Sequence, residues 1–89
     1  MLVALIALDK PDHLDVRKAN RDAHIAYLKT TGVVSQAGPF IDAEGNMCGS
    51  LVILDVDTLQ DAENWAAQDP YAQAGLFASV TLHPWNKVI

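Results

Sequence analysis

The sequence contains a single cysteine, Cys48, and few basic residues. One cysteine excludes an internal disulfide framework and a zinc site built from four cysteines. Six lysines and arginines stand against eleven aspartates and glutamates, which gives a formal net charge of −5. Such a surface repels a phosphate backbone, and the chain has neither a basic run nor a paired aromatic RNA-binding motif. We therefore expect a protein that does not bind nucleic acid.

Long apolar runs are missing as well. No stretch approaches the roughly 18 residues that a membrane-spanning helix needs. The apolar residues 2–8 follow no basic segment and are ended by Asp9, so they do not resemble a secretory signal. We expect a cytoplasmic protein with no membrane partner.

Apolar residues are nevertheless plentiful. They make up 51% of the 89 residues, which is enough to form a core and argues against a disordered chain. The length predicts a single domain over residues 1–89. A domain of this size buries only about 60–65% of its unfolded surface, so association with another chain would stabilise it.

The hydrophobic pattern predicts the order β-α-β-β-α-β. The predicted strands are residues 2–8, 33–40, 50–56 and 76–82, and the predicted helices are about 12–31 and 58–68, with one helical turn over 71–75. Gly32 is suited to end the first helix, and residues 42–49 form the longest predicted loop. This order is the ferredoxin-like α+β arrangement, in which two helices cover one face of a four-stranded antiparallel sheet.

The first and third predicted strands are apolar on both faces, which predicts that both faces are buried. Two helices cover only one of them. A bare apolar sheet would promote aggregation in a monomer. We therefore predict a homodimer in which two sheets pack face to face about 10 Å apart.

The first predicted helix carries polar groups where apolar ones are expected. At roughly 100° per residue, its charged side chains gather on a solvent face: Asp15, Lys18, Asp22 and Lys29. The opposite stripe contains Arg17, Arg21 and His24. One interpretation is structural, with arginines extending past the sheet edge and His24 bonded to a backbone carbonyl. The other is a cleft between helix and sheet whose cations face an anionic or enolate-like ligand.

Other candidate residues are less specific. Asp69 could cap the turn after it, or it could orient a histidine as part of an acid–base pair. Gly38 and Pro39 indicate either a close backbone approach or the end of a strand. Ser50 could offer its hydroxyl to a ligand. The three histidines lack metal-ligand spacing, so we expect no metal site.

Several segments together resemble the YCII-related family of the dimeric α+β barrel superfamily. They are residues 21–29, Gly32, residues 37–40, Gly45, residues 49–51, residues 69–71, residues 74–77 and the Pro84-Trp85 pair. The resemblance covers nearly the whole chain. It implies a ferredoxin-like fold, a dimer, and an active site with a histidine–aspartate pair, which maps onto His24 and Asp69. It places Gly38, Pro39 and Ser50 near the same pocket, and we expect Tyr71 to contact the ligand there.

Three functions remain open. The first is a cofactor-independent enzyme that eliminates from or isomerises a small cyclic or enolisable metabolite, with His24 moving the proton and Asp69 orienting it. One relative in the resembled family is a dehydrochlorinase of a chlorinated hydroxyhydroquinone. The second is a non-catalytic dimer that binds a small anion through Arg17 and Arg21. The third is a cofactor-free oxygenase, a chemistry found among dimeric α+β barrels.

Overall fold

The computed structural model describes residues 1–89 and has the predicted order of elements, with a short third helix. The elements are β1 (Leu2–Asp9), α1 (Leu14–Thr30), β2 (Val34–Ile41), β3 (Met47–Asp55), α2 (Leu59–Gln68), α3 (Pro70–Gln73) and β4 (Phe77–Trp85). The strands form one antiparallel sheet in the order β2-β3-β1-β4. The predicted ferredoxin-like α+β class is confirmed. None of the helices combines the length and apolar character that crossing a membrane requires.

The core lies between the helices and one face of the sheet. Alternate residues of the two central strands form it, namely Val3, Leu5 and Ala7 from β1 and Val52 and Leu54 from β3, together with Ala62 and Trp65 of α2. The Trp65 indole nitrogen donates a hydrogen bond to Thr31 Oγ1, and the Tyr27 hydroxyl donates one to the Trp65 carbonyl. These bonds satisfy the polar ends of two aromatic side chains that pack against the core.

The other face of the sheet has no helix over it. Its large or apolar side chains on the central strands, which we call the open face, are Leu2, Ala4, Ile6, Leu8, Leu51 and Ile53. Leu8 and Leu51 are exposed, Leu2, Ala4 and Ile6 are partly exposed, and Ile53 is buried. Within one chain β1 is therefore covered on its helical face alone, because all three helices pack on that side. Burial of its second face requires a partner chain and stays a prediction.

Both ends of α1 have a local cause. Asp12 adopts a left-handed conformation with φ 58°, so the helix begins at Leu14 with His13 as its cap, not at residue 12 as predicted. At the other end, Gly32 follows the cap residue Thr31 with φ 73°, a conformation that costs glycine least. The predicted role of Gly32 in ending this helix is confirmed.

The connection between β2 and β3 is shorter than predicted. We expected a loop over 42–49, but β3 already begins at Met47. The Asp42 carboxylate accepts hydrogen bonds from the backbone N–H groups of Glu44 and Asn46, which closes the turn tightly. The strand therefore gains residues 47–49, and Ser50 lies inside it. At the end of the chain, β4 continues to Trp85 instead of ending at residue 82.

Candidate active site

A cavity of about 190 Å³ lies between α1, β2, β3 and α3. The predicted site residues that line it are Arg17, Arg21, His24, Gly38, Pro39, Ser50 and Tyr71. Asp69, the remaining predicted residue, lies behind His24 and contacts its ring. The structure thus brings together side chains from α1, both strands of the β2–β3 hairpin, and α3. Its apolar walls come from Ile25, Leu28, Ala37, Met47 and Val52.

Asp69 contacts both its own turn and His24. It ends α2 and caps α3, where its Oδ1 accepts a hydrogen bond of 3.0 Å from the Tyr71 backbone N–H. The same oxygen lies 2.7 Å from His24 Nδ1, and both side chains are buried. One carboxylate oxygen of Asp69 therefore makes both the cap of α3 and the contact with His24.

The contact with Asp69 determines which nitrogen of the His24 ring carries the proton. A carboxylate oxygen accepts hydrogen bonds, so Nδ1 must be the donor. In the neutral ring this leaves the lone pair on Nε2, which makes no hydrogen bond within the chain. Since His24 lines the cavity, Nε2 is available there to take a proton from a bound molecule.

Tyr71 holds the other side of the His24 ring. The two rings are stacked, with centroids 3.8 Å apart and planes inclined by 15°. Phe77 packs edge-on against Tyr71. Hydrogen bonding to Asp69 and stacking on Tyr71 together limit rotation of the imidazole.

Arg17 is held by a buried ion pair. Its Nε and Nη2 donate to the two carboxylate oxygens of Asp9 at 2.7 and 2.8 Å, and Nη2 also donates to Ser50 Oγ at 3.0 Å. The side chains of Arg17 and Asp9 are only 2% and 7% exposed. Burial by itself would lower the pKa of Arg17, but the hydrogen bonds and charge of Asp9 raise it, so the guanidinium stays charged.

The β1–β3 register fixes the position of Ser50. Ser50 lies opposite Ala7 on β1 and opposite Pro39 on β2. A Cβ atom on the preceding residue, Gly49, would lie 2.5 Å from the Ala7 carbonyl oxygen. Glycine at that position therefore permits the close approach of the strands that brings Ser50 to Arg17.

Tyr71 remains a neutral phenol at ordinary pH. Burial raises its pKa above the usual value of 10.0, although the charges of Arg17 and Arg21 act in the opposite direction. Arg17 lies close to it, with Cζ 4.6 Å from the centre of the Tyr71 ring. A neutral phenol can donate a hydrogen bond, which an ionised one cannot.

The sequence matches the YCII-related domain over residues 1–86. The chain belongs to the YCII-related family. It is 40% identical to an uncharacterized protein of Haemophilus influenzae and 36% identical to Protein YciI of Escherichia coli O6:H1, and each alignment covers 99% of both chains.

Solved structures resemble this YCII-related chain at two levels. The structure of 5-chloro-2-hydroxyhydroquinone dehydrochlorinase from Burkholderia phenoliruptrix, in complex with 2,5-dihydroxybenzoquinone, has a TM-score of 0.90 and 30% sequence identity, with 97% of this chain and 94% of that chain covered. Antibiotic biosynthesis monooxygenases also share the fold, and one has a TM-score of 0.62 at 12% identity with complete coverage of both chains. The likeness to that monooxygenase shows the fold alone.

Asp9 is the site residue that sequence reasoning missed in this YCII-related domain. We interpreted it only as the end of an apolar run, whereas it binds Arg17. Its position in β1 could have identified it, because Asp9 lies two residues beyond Ala7 and therefore on the same face of β1 as the core. A carboxylate that is buried on that face needs a cation as its partner, and α1, which packs on that face, carries Arg17.

The predicted arginines have different environments. Arg17 was expected to face the ligand, but its Nε and Nη2 are used by Asp9 and Ser50. Arg21 is exposed, lines the cavity and forms no ion pair. His13 caps α1 and His83 lies on β4, so neither lines the cavity. No three His, Cys, Asp or Glu side chains lie close enough together to hold a metal ion.

Proposed function

We propose that this protein catalyses cofactor-independent proton transfer, of elimination or isomerisation type, on a small cyclic or enolisable metabolite. The observation that carries the proposal is the 2.7 Å contact between His24 Nδ1 and Asp69 Oδ1, which leaves His24 Nε2 free in a cavity. A buried carboxylate at this distance favours the imidazolium that forms when the histidine accepts a proton.

The reaction would proceed through an enolate. His24 Nε2 takes a proton from the carbon next to a carbonyl group, and the electron pair of that bond moves onto the carbonyl oxygen. In an isomerisation the imidazolium returns the proton at another carbon of the same conjugated system. In an elimination the electron pair instead expels a leaving group from the neighbouring carbon. A chlorinated hydroxyhydroquinone would react through its keto tautomer, in which the carbon that bears chlorine also carries a hydrogen. There His24 Nε2 takes the proton of the enol hydroxyl, the electron pair of the O–H bond forms a carbonyl group, the C=C bond shifts by one position, and chloride leaves. The donors that line the cavity stabilise the negative oxygen in both cases.

The dimensions of the cavity favour a single ring as substrate. A dry cavity of about 150 Å³ accommodates benzene, so the 190 Å³ available here suits one substituted ring. Its apolar walls would contact the ring, and its polar groups would contact the substituents. The 30% identical dehydrochlorinase with 2,5-dihydroxybenzoquinone bound supports a hydroxylated ring. We therefore choose 5-chloro-2-hydroxyhydroquinone for a chloride-release assay and 2,5-dihydroxybenzoquinone as a binding ligand, hereafter the quinone probe.

The arrangement of Arg17 counts against a binding module that uses both arginines. Asp9 neutralises Arg17 inside the chain, so the guanidinium is not available as an unpaired charge for an anion. A simple anion site would rely on Arg21, whose exposure to water weakens the attraction. The His24–Asp69 pair would have no part in such binding.

The proposal is tested by recording the ring nitrogen resonances of His24 by NMR in the wild type and in Asp69→Ala. We expect the neutral ring of the wild type to carry its proton on Nδ1, because Asp69 Oδ1 accepts that hydrogen bond, and we expect a larger share on Nε2 in the variant, which lacks the acceptor. His13 and His83 serve as internal controls in the same spectra and should keep their resonances. A wild-type ring with its proton on Nε2 would contradict the acid–base pair and leave binding without catalysis as the better explanation.

We also propose that two chains associate through the open face. Ile6 and Leu51 are paired across β1 and β3 on that face, and Leu8 beside them is exposed. Burying this apolar surface against a second copy would stabilise both chains. We expect sedimentation equilibrium at micromolar concentration to give a dimer mass for the wild type and a monomer mass for Leu51→Glu.

Leu59 supplies the matched control for this experiment. It is 38% exposed, compared with 37% for Leu51, but it begins α2 on the helical side. Leu59→Glu should therefore remain dimeric. A monomeric wild type, or equal dissociation of both variants, would rule out association through the open face.

A further inference from the structure

The hydroxyl of Tyr71 belongs to a buried side chain and has no acceptor within the chain. Tyr71 is only 1% exposed and lines the cavity, yet its hydroxyl donates to no atom of the chain. The charged groups that act on it most strongly are Arg17 and Arg21, and guanidinium groups only donate hydrogen bonds. The proton of Tyr71 is therefore left for a molecule inside the cavity.

The proton of the Ser50 hydroxyl also lacks an acceptor within the chain, for a related reason. Its Oγ lies 3.0 Å from Arg17 Nη2, and in this contact Arg17 is necessarily the donor. The hydroxyl oxygen is thus occupied as an acceptor, while its hydrogen points to no acceptor in the chain. Because Asp9 fixes Arg17, the orientation of Ser50 is fixed too.

We propose that the Tyr71 and Ser50 hydroxyls together bind an anionic oxygen of the ligand, so that the site selects enolates, phenolates and related oxyanions. The inference rests on the proposed function and deepens it by specifying the ligand. The cavity presents these two hydroxyl donors and Arg21, while His24 Nε2 is the proton acceptor. A ligand with a negative oxygen matches the donors, and an acidic C–H beside that oxygen matches His24.

Burial strengthens the hydrogen bonds that these two hydroxyl groups can donate. Hydrogen bonds to a charged group are stronger than those between neutral groups, and they strengthen further where water is excluded. The raised pKa of Tyr71 keeps its proton in place over the whole neutral range. Stacking on His24 and the Asp69 bond to its backbone hold Tyr71 before any ligand arrives.

The experiment measures binding of the quinone probe by calorimetry to the wild type, Tyr71→Phe and Ser50→Ala. Loss of one hydrogen bond to an oxyanion should raise the Kd about 10- to 100-fold for Tyr71→Phe. Ser50→Ala should also raise the Kd. The phenyl ring of the Tyr71→Phe variant would keep the stacking on His24, so the His24 ring nitrogen resonances should stay as in the wild type.

Tyr27→Phe is the matched control. It removes the same hydroxyl from a tyrosine that bonds the Trp65 carbonyl and does not line the cavity. Its Kd should remain within about twofold of the wild type. Unchanged binding by Tyr71→Phe, or equal weakening by Tyr27→Phe, would overturn the inference while leaving the His24–Asp69 proposal intact. A wild type that fails to bind the quinone probe would also overturn the inference, whereas the proposed function is tested separately by the His24 tautomer and by the turnover of His24→Asn.

Discussion

His24→Asn should lower kcat/KM in the chloride-release assay by about 100- to 10,000-fold, the usual contribution of a general acid–base group. Asparagine can place an amide nitrogen where His24 Nδ1 lies and donate to Asp69 Oδ1, so the buried carboxylate keeps a partner. It has no group equivalent to Nε2. The variant therefore removes the proton acceptor while changing the rest of the pair little, and the free energy of unfolding should fall by only about 1 kcal/mol.

His13→Asn provides the control, since His13 caps α1 and does not line the cavity. Both variants are to be assayed at the same pH and checked by thermal unfolding. His13→Asn should keep wild-type turnover. Retention of activity by His24→Asn would show that another group moves the proton. A large loss of stability would instead favour the structural interpretation of His24.

Asp9→Asn should destabilise the protein by about 3–5 kcal/mol, the typical result of removing one partner from a buried ion pair. The neutral side chain would leave the Arg17 charge buried without compensation, and its amide would point a donor at Arg17. A domain of this size has little stability in reserve. We expect urea unfolding followed by circular dichroism to show a much lower midpoint, or a chain already unfolded in buffer.

Two further variants make this result specific. Asp22→Asn removes a carboxylate from the solvent face of α1 and should leave the midpoint unchanged. The double variant Asp9→Leu with Arg17→Met replaces both charges by apolar groups and should be more stable than Asp9→Asn, because no charge is left buried. If Asp9→Asn unfolds at the wild-type midpoint, the pair does not support the fold.

The helical period was sufficient to find His24 and Arg17. Both occupy a stripe that must pack against the sheet, and polar groups there need partners whatever the fold is. The partners themselves follow less directly. Asp69 lies 45 positions from His24, and its pairing was implied by family resemblance, not by spacing. Asp9 lies only eight positions from Arg17, but the β1–α1 crossing angle decides that contact, and local sequence does not encode it.

The predicted boundaries of β3 and β4 were wrong for a similar reason. Residues 47–49 were predicted as loop because Gly49 and the preceding turn residues disfavour a strand locally. Pairing with β1 and β2 overrides that preference, since Met47 and Gly49 find register partners on β2. Tertiary contacts likewise extend β4 through Pro84, which lies on an edge strand where a missing N–H is tolerated.

The order of the strands has a consequence for how this site could be divided. The fold consists of two β-α-β halves, and β3 of the second half lies between β1 and β2 of the first. Asp9, Arg17 and His24 belong to the first half, while Ser50 and Asp69 belong to the second. Cutting the chain in the turn at residues 42–46 would therefore part His24 from Asp69 and Arg17 from Ser50. The Asp9–Arg17 ion pair would stay within the first fragment, and the hydrogen bond between Asp69 and the Tyr71 backbone within the second. The cavity forms only when the strands of the two halves interleave. Activity in the cavity would therefore report that two separate fragments have reassembled correctly.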